Sequence, residues 1–371
     1  MRKDGGNGMT TDLPSPCFVL EAEKLKANLC KLRYLQDQTD IQILHTLKSF
    51  HSREGLKIIS EYLSGFSAGN QRELDKLHQI PSTHIHSYAP VFRPDEIKPL
   101  AFQSNTLSFN SLHQWECYTS SISTDSSIGL RINPQLTLKQ PKYCNPNYTT
   151  HLGVPYQTFL QAYANDPKLF QALEGLHFHA FCSQGLNGLK YLLSHISKNY
   201  QEILPRLQWL NLGGGHQFTH TTYDTEGFIT LINTFRSHYP HLLLYFEPGE
   251  SVVKDTGYFS TTILDIIPGE IPIVILDTSI EAHLLDIAIT KQKPIIRNTS
   301  IQQTPYPYQL SGMSCIAGDT IGTYFFEEAL HIDDKVIFED MMGYSIVKQT
   351  EFNGIEKAGF RVDEGIAPIY L

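Results

Sequence analysis

The sequence has no Cys-x-x-C pair, no excess of basic residues and no apolar run long enough to span a membrane. The six cysteines, Cys17, Cys30, Cys117, Cys144, Cys182 and Cys315, stand singly, so neither a zinc ribbon nor a dithiol redox motif is indicated. Such spacing in a chain of 371 residues fits a reducing compartment. Lys and Arg number 29 against 38 Asp and Glu, with no basic stripe, so nucleic acid is not an expected partner. Pro, Gly or charged residues interrupt every apolar stretch, and the polar start from Met1 to Leu13 lacks the apolar core of a signal peptide. No repeat at solenoid spacing and no low-complexity tract is present. The expectation is a cytoplasmic protein with no membrane or nucleic-acid partner.

What is present is alternation. Short β-rich apolar runs are predicted at Ile41–Lys48, Gly65–Ala68, Thr83–Pro90, Thr106–Asn110, Ser127–Pro134, Leu173–Phe181, Leu207–Gly213 and Leu242–Pro248. Stretches with helical periodicity lie between them, among them Arg53–Leu63, Gln71–Ile80, Tyr156–Leu173 and Glu226–Tyr239. Eight such units predict an α/β fold with a (β/α)8 barrel over residues 21–250; an open doubly wound sheet is the rival. After Gly249 the texture becomes strand-like, at Gly257–Ile267, Ile271–Thr278, Val336–Glu339 and Tyr344–Phe352, with Pro-Gly and Gly-Glu punctuation. Residues 251–371 are therefore predicted to form a mainly antiparallel β-domain, joined by residues 1–20 through a strand at Cys17–Leu20. Pro141–Thr150 reads as a polar loop.

In a barrel, chemistry collects where strands end. Lys48 ends the first strand, where partial desolvation would lower its pKa and suit it to form an imine; the plain alternative is a solvated lysine. Gly213, Gly214 and Gly215 follow the seventh strand, leaving backbone N–H groups open to a phosphate, or simply making a tight turn. Glu247 ends an apolar strand and needs a cationic partner, either a protonated pyridine nitrogen or an internal partner such as Arg131. His177 and His179 share one face of the sixth strand. They suit a metal pair completed by His216 and Glu247, or a flat ring stacked on His179, or two core histidines. Cys315, among the small residues Gly312, Gly318 and Asp319, sits in a predicted functional loop, the alternative being a buried inert thiol.

Together these residues carry a resemblance. The motifs are Leu47-Lys48-Ser49-Phe50, the run from Tyr88 to Glu96, Gly129-Leu-Arg-Ile-Asn-Pro134 and Leu173-Glu-Gly-Leu-His-Phe-His-Ala180. They continue with Trp209-Leu-Asn-Leu-Gly-Gly-Gly-His216, Glu247-Pro-Gly-Glu250, the run from Cys315 to Gly322 and Phe338-Glu-Asp-Met341. From about Ser15 to Asn353 the chain resembles the pyridoxal-phosphate (PLP) decarboxylases of alanine-racemase-like fold, and within them the carboxynorspermidine decarboxylases.

The resemblance implies that Lys48 binds the PLP covalently, His179 stacks on its ring, Gly213, Gly214 and Gly215 cradle its phosphate, and Glu247 holds the pyridine nitrogen. It places Tyr344 at the phosphate and Glu73 and Arg131 near Lys48. It implies a homodimer with a shared active site, in which Cys315 crosses to the partner and reprotonates the substrate carbon. Glu250, where related decarboxylases often have a basic residue, and Asp286 and Asp319 are the implied substrate contacts. Acids there favour an amine-rich polyamine precursor, carboxynorspermidine or carboxyspermidine, with norspermidine or spermidine and CO2 as products. No metal is implied. The alternatives are another PLP decarboxylase or racemase acting on a basic amino acid, a PLP carrier without turnover, and a metal-dependent barrel hydrolase. Two stretches depart from the family pattern: Thr150-His151-Leu152-Gly153 stands where Ser-Arg-Leu-Gly is common, and Ile287–Pro294 lacks the usual aromatic, arginine-containing run.

Overall fold

The structure, a computed structural model, describes residues 14–81, 84–122, 126–136 and 150–365. Most of the polar loop expected at 141–150 lies outside them. In chain order the elements are β1 (Cys17–Glu21), α1 (Ala22–Thr39), β2 (Gln42–Thr46), α2 (Arg53–Ser60), β3 (Gly65–Ala68), α3 (Gln71–Asp75), β4 (His84–Tyr88), α4 (Ile97–Gln103), β5 (Thr106–Phe109) and α5 (Leu112–Tyr118). Then come β6 (Ser127–Asn133), β7 (Val154–Pro155), α6 (Tyr156–Asn165), β8 (Gly175–Phe178), α7 (Leu186–Asn199), β9 (Trp209–Asn211), α8 (Thr225–His238), β10 (Leu243–Phe246) and α9 (Glu250–Val253). The rest are β11 (Gly257–Ile267), β12 (Ile273–Leu276), α10 (Leu285–Thr290), β13 (Thr299–Ser300), β14 (Tyr306–Ser311), β15 (Thr320–Phe326), β16 (Lys335–Glu339) and β17 (Gly359–Asp363).

The chain divides into two units, Leu25–Lys254 and the residues before and after it. In the first, parallel pairings run β5–β4–β3–β2–β10–β9–β8–β6 and return from β6 to β5, closing an eight-stranded barrel; the short β7 hangs on β6. The open-sheet rival is thereby excluded. Side-chain caps start several of the outer helices. Ser52, Asn70, Ser111 and Asp224 each accept a hydrogen bond from a backbone N–H in the first turn of α2, α3, α5 and α8.

One row across the barrel shows how bulk is shared. Gly129, Gly175 and Trp209 face one another on β6, β8 and β9. A Cβ on Gly175 would lie 2.0 Å from the Trp209 indole, so that ring fits only beside a glycine. Its Nε1 donates to Ser127 Oγ at 2.7 Å. Two residues further along each strand, the inward positions carry Arg131, His177 and Asn211. On these three strands a row of Gly, Gly and Trp thus lies below a polar row.

In the second unit the sheet order is β13–β15–β14–β12–β11–β1–β17, with β16 also on β11. Most pairings are antiparallel; β1–β17 and β12–β14 are parallel. Cys17 and Val19 of β1 pack with Tyr258 and Ile337 in its core. The strand expected at Tyr344–Phe352 is not formed. Tyr344 has φ 58° and Asn353 φ 58°, and the intervening residues turn through short 3-10 segments. A left-handed residue at each end is incompatible with a continuous strand. Among the described residues, no helix is long and apolar enough to cross a membrane.

Candidate active site

Lys48 does not end the first strand but sits in the turn that follows it, since β2 stops at Thr46. Ser49 Oγ donates to Thr46 O at 2.8 Å and closes that turn. Leu47, Ser49 and Phe50 are buried, whereas the Lys48 side chain is exposed to a cavity of about 630 Å³ that it lines. The side chain is open to the cavity while protein atoms surround its ammonium. Burial, and next the Arg131 guanidinium, push the Lys48 pKa below the ordinary lysine value against the pull of Glu247, Cys182 and Glu73.

Glu247, just past β10, is nearly buried and lines the same cavity. Its Oε1 accepts a hydrogen bond from Asn211 Nδ2 at 2.8 Å. His86 Nε2 lies 3.8 Å from Oε1, and His177 Nε2 3.8 Å from Oε2. Burial is the largest cause lowering the pKa of both histidines, so both flank the carboxylate as neutral imidazoles. Both ring nitrogens of buried His177 lack a hydrogen-bond partner. The ion pair of Glu247 with Arg131 is not formed. The Arg131 guanidinium lies 4.5 Å from the Tyr88 ring centroid instead.

His179 follows β8, and its Nδ1 accepts from the Gly214 N–H at 3.2 Å. Burial, then Lys48 and Arg131, hold its pKa well below the usual histidine value, so the ring is neutral, as an acceptor nitrogen requires. Among the described residues no three His, Cys, Asp or Glu are placed to hold a metal ion. Gly213 and Gly215 adopt φ +68° and +83°, and a Cβ on Gly214 or Gly215 would lie 2.4 Å from Glu247 O or 2.0 Å from Phe181 O. Side chains are therefore excluded along this loop, leaving bare backbone. Glu73 lines the cavity while its Oε2 accepts from the Gly69 N–H at 2.6 Å, tying the start of α3 to the end of β3.

Lys48, Glu73, Arg131, His179 and Glu247 thus share one cavity, with the glycine loop against His179 and Glu247. Glu250 is exposed and lines a small hollow of about 40 Å³ beside Gly215, not the large cavity. The remaining expected residues lie on the β-unit. Cys315 is exposed in the loop between β14 and β15, its N–H donating to Asn353 Oδ1 at 2.8 Å. Asp319 is buried, its Oδ1 accepting from Ile280 N–H at 2.8 Å and its Oδ2 from Ser314 N–H at 3.0 Å. Asp286, at the start of α10, is ion-paired with Lys348, whose ammonium also lies 5.0 Å from the Tyr344 ring centroid. Sequence reasoning gave no role to His86, Tyr88, Asn110 or Asn211, although Tyr88 and Asn211 stand in the quoted motifs. The available signal was polar residues at every second position of strands that face a lumen.

The residues present fit a PLP. The cavity is of ligand size. Bare glycine backbone adjoins it, a lysine of lowered pKa and a buried carboxylate face into it, and His177 carries orphaned ring nitrogens below it.

Comparison with known proteins agrees. The family described as "Pyridoxal-dependent decarboxylase, C-terminal sheet domain" matches residues 29–342. A carboxyaminopropylagmatine decarboxylase of Synechocystis sp. is 36% identical, the match covering 94% of this chain and 90% of the relative. A carboxynorspermidine/carboxyspermidine decarboxylase of Campylobacter jejuni is 34% identical, covering 92% and 91%. The crystal structure of carboxynorspermidine decarboxylase from Campylobacter jejuni complexed with norspermidine superposes with a TM-score of 0.87 at 32% identity, covering 94% of each chain. With its closed barrel, its lysine-bearing cavity and a match over most of its length, the chain belongs to the pyridoxal-dependent decarboxylase family and is a PLP-dependent carboxy-lyase.

Proposed function

We propose that the chain decarboxylates carboxynorspermidine and carboxyspermidine, releasing CO2 and the polyamine, as a step of polyamine biosynthesis. The observation that carries the reading is the convergence of Lys48 and Glu247 on one cavity. The likeness to the Campylobacter jejuni enzyme, which extends over both units, supports the substrate. Bound PLP supplies a sink for the electron pair left when the bond to the substrate carboxylate breaks. Lys48, with its lowered pKa, offers a free amine to hold the cofactor and to release it to the substrate amine. His179 presents a neutral flat face, Gly213, Gly214 and Gly215 offer backbone for the phosphate, and Glu247 would hold the ring nitrogen. Arg131 and Glu73 set the charge around Lys48.

Cys315 donates the proton that replaces the carboxylate, and does so in the partner's cavity of a homodimer. Exposed Met313 and Ile316 flank it, as an interface loop requires. Asp319, with both oxygens engaged by backbone N–H groups, shapes that loop. Glu250 and Asp286 supply negative charge for substrate amines, an amine arm displacing Lys348 at Asp286. Mixing Lys48→Ala with Cys315→Ala subunits should recover up to about a quarter of wild-type turnover, because half the dimers are mixed and each holds one intact site. Recovery of none would remove the shared site.

The Synechocystis relative favours a second reading, an agmatine-derived arm. Kinetics on carboxynorspermidine, carboxyspermidine, carboxyaminopropylagmatine and diaminopimelate separate the two. The proposal expects the highest kcat/KM on one of the first two. A maximum on the third moves the assignment to the second reading, and a maximum on diaminopimelate overturns both.

A further inference from the structure

Asn110 follows β5, and β5 stands four strands from β10 in either direction around the closed barrel, directly across from Glu247. Its side chain is buried and joins three segments. Oδ1 accepts from the Tyr88 hydroxyl at 2.7 Å and from the Gly153 N–H at 2.7 Å, while Nδ2 donates to His151 O at 2.9 Å. Its backbone N–H donates to Gln114 Oε1 at 3.1 Å, and Gln114 Nε2 donates to Pro90 O at 2.8 Å. Tyr88, Pro90, Thr150 and Leu152 all line the cavity; Asn110 and Gln114 do not. Tyr88 in turn carries Arg131 over its ring.

We propose that Asn110 is a positioning residue that fixes the cavity wall facing Lys48 and Glu247, and with it the seat of the substrate. The inference rests on the cavity being the catalytic site. Burial pushes the Tyr88 pKa up, so the phenol stays protonated and keeps donating to Asn110. The clamp grips the loop at residues 151 and 153 through backbone atoms alone, so His151 in place of the arginine common in the family leaves it intact. Lys48, His179, Gly213 and Glu247 follow β2, β8, β9 and β10, away from this wall. A fault at Asn110 therefore falls first on substrate binding and reaches Lys48 only through Tyr88 and Arg131.

The test is a KM-against-kcat split. Asn110→Ala, which removes all three side-chain hydrogen bonds, should raise KM about 10-fold with kcat within about 2-fold. Asn110→Asp keeps both accepted bonds but turns a carboxylate oxygen onto His151 O in place of a donor, so it should raise KM as well. A fall in kcat with KM unchanged, or no kinetic change in Asn110→Ala, overturns the proposal. Wild-type protein that turns over none of the carboxypolyamines counts against the functional reading instead. Hydrogen exchange of residues 150–155 then decides the clamp: faster exchange in Asn110→Ala sustains it, and unchanged exchange sinks it.

Discussion

Lys48→Ala should lower turnover by at least about 10³-fold and abolish the cofactor absorbance that borohydride fixes to the protein. The expectation follows from the place of Lys48, on a turn closed by Ser49 and facing a cavity that no second lysine lines among the described residues. Its lowered pKa has a further consequence. Between that lowered value and the ordinary one near 10.5, the unfolded chain binds more protons than the folded one, so apo-protein stability rises with pH across the window. The destabilisation from Lys48 is fully present below its folded pKa and fades as the pH approaches the ordinary value. Apo Lys48→Met should therefore melt above wild type at neutral pH, with the gap closing as the solution is made alkaline. A thermal-shift series over pH measures this. Equal melting temperatures at neutral pH would mean that Lys48 is adequately solvated.

Glu247→Gln should lower kcat by roughly 10²- to 10³-fold with the fold intact. Asn211 Nδ2 can still donate to the amide oxygen, so the local geometry survives. What is lost is a negative charge that raises the pKa of both Lys48 and His86. Lys48 then becomes a still weaker base, and the acid limb of the kcat/KM profile moves to lower pH. Cofactor dissociation by dialysis, read with that profile, distinguishes loss of the ring partner from general disruption. A variant with normal kcat would remove Glu247 from the reaction.

The barrel was legible because each strand is brief and followed by a helical stretch, four of them started by a side-chain cap. Gly65–Ala68 and Gly257–Ile267 have the predicted bounds. Lys48 and Glu247 were legible because a charge beside an apolar run must be accounted for. Asn211 and His86 escaped because they lie inside strands, where a single polar residue looks like a fault in the pattern until the lumen shows that the inward face is polar. Asn110 escaped because its role rests on partners 22 to 43 residues away. Tyr344 was placed in a strand because its neighbours are β-formers; its left-handed backbone is a tertiary outcome that propensity does not report.

The most direct test of the account is release of labelled CO2 from carboxyspermidine labelled in its carboxylate, with PLP-loaded wild-type and Lys48→Ala protein side by side. The account predicts one CO2 for each spermidine formed by wild type and none from the variant. Cofactor-loaded wild type that releases no CO2, or a variant that matches it, would contradict it.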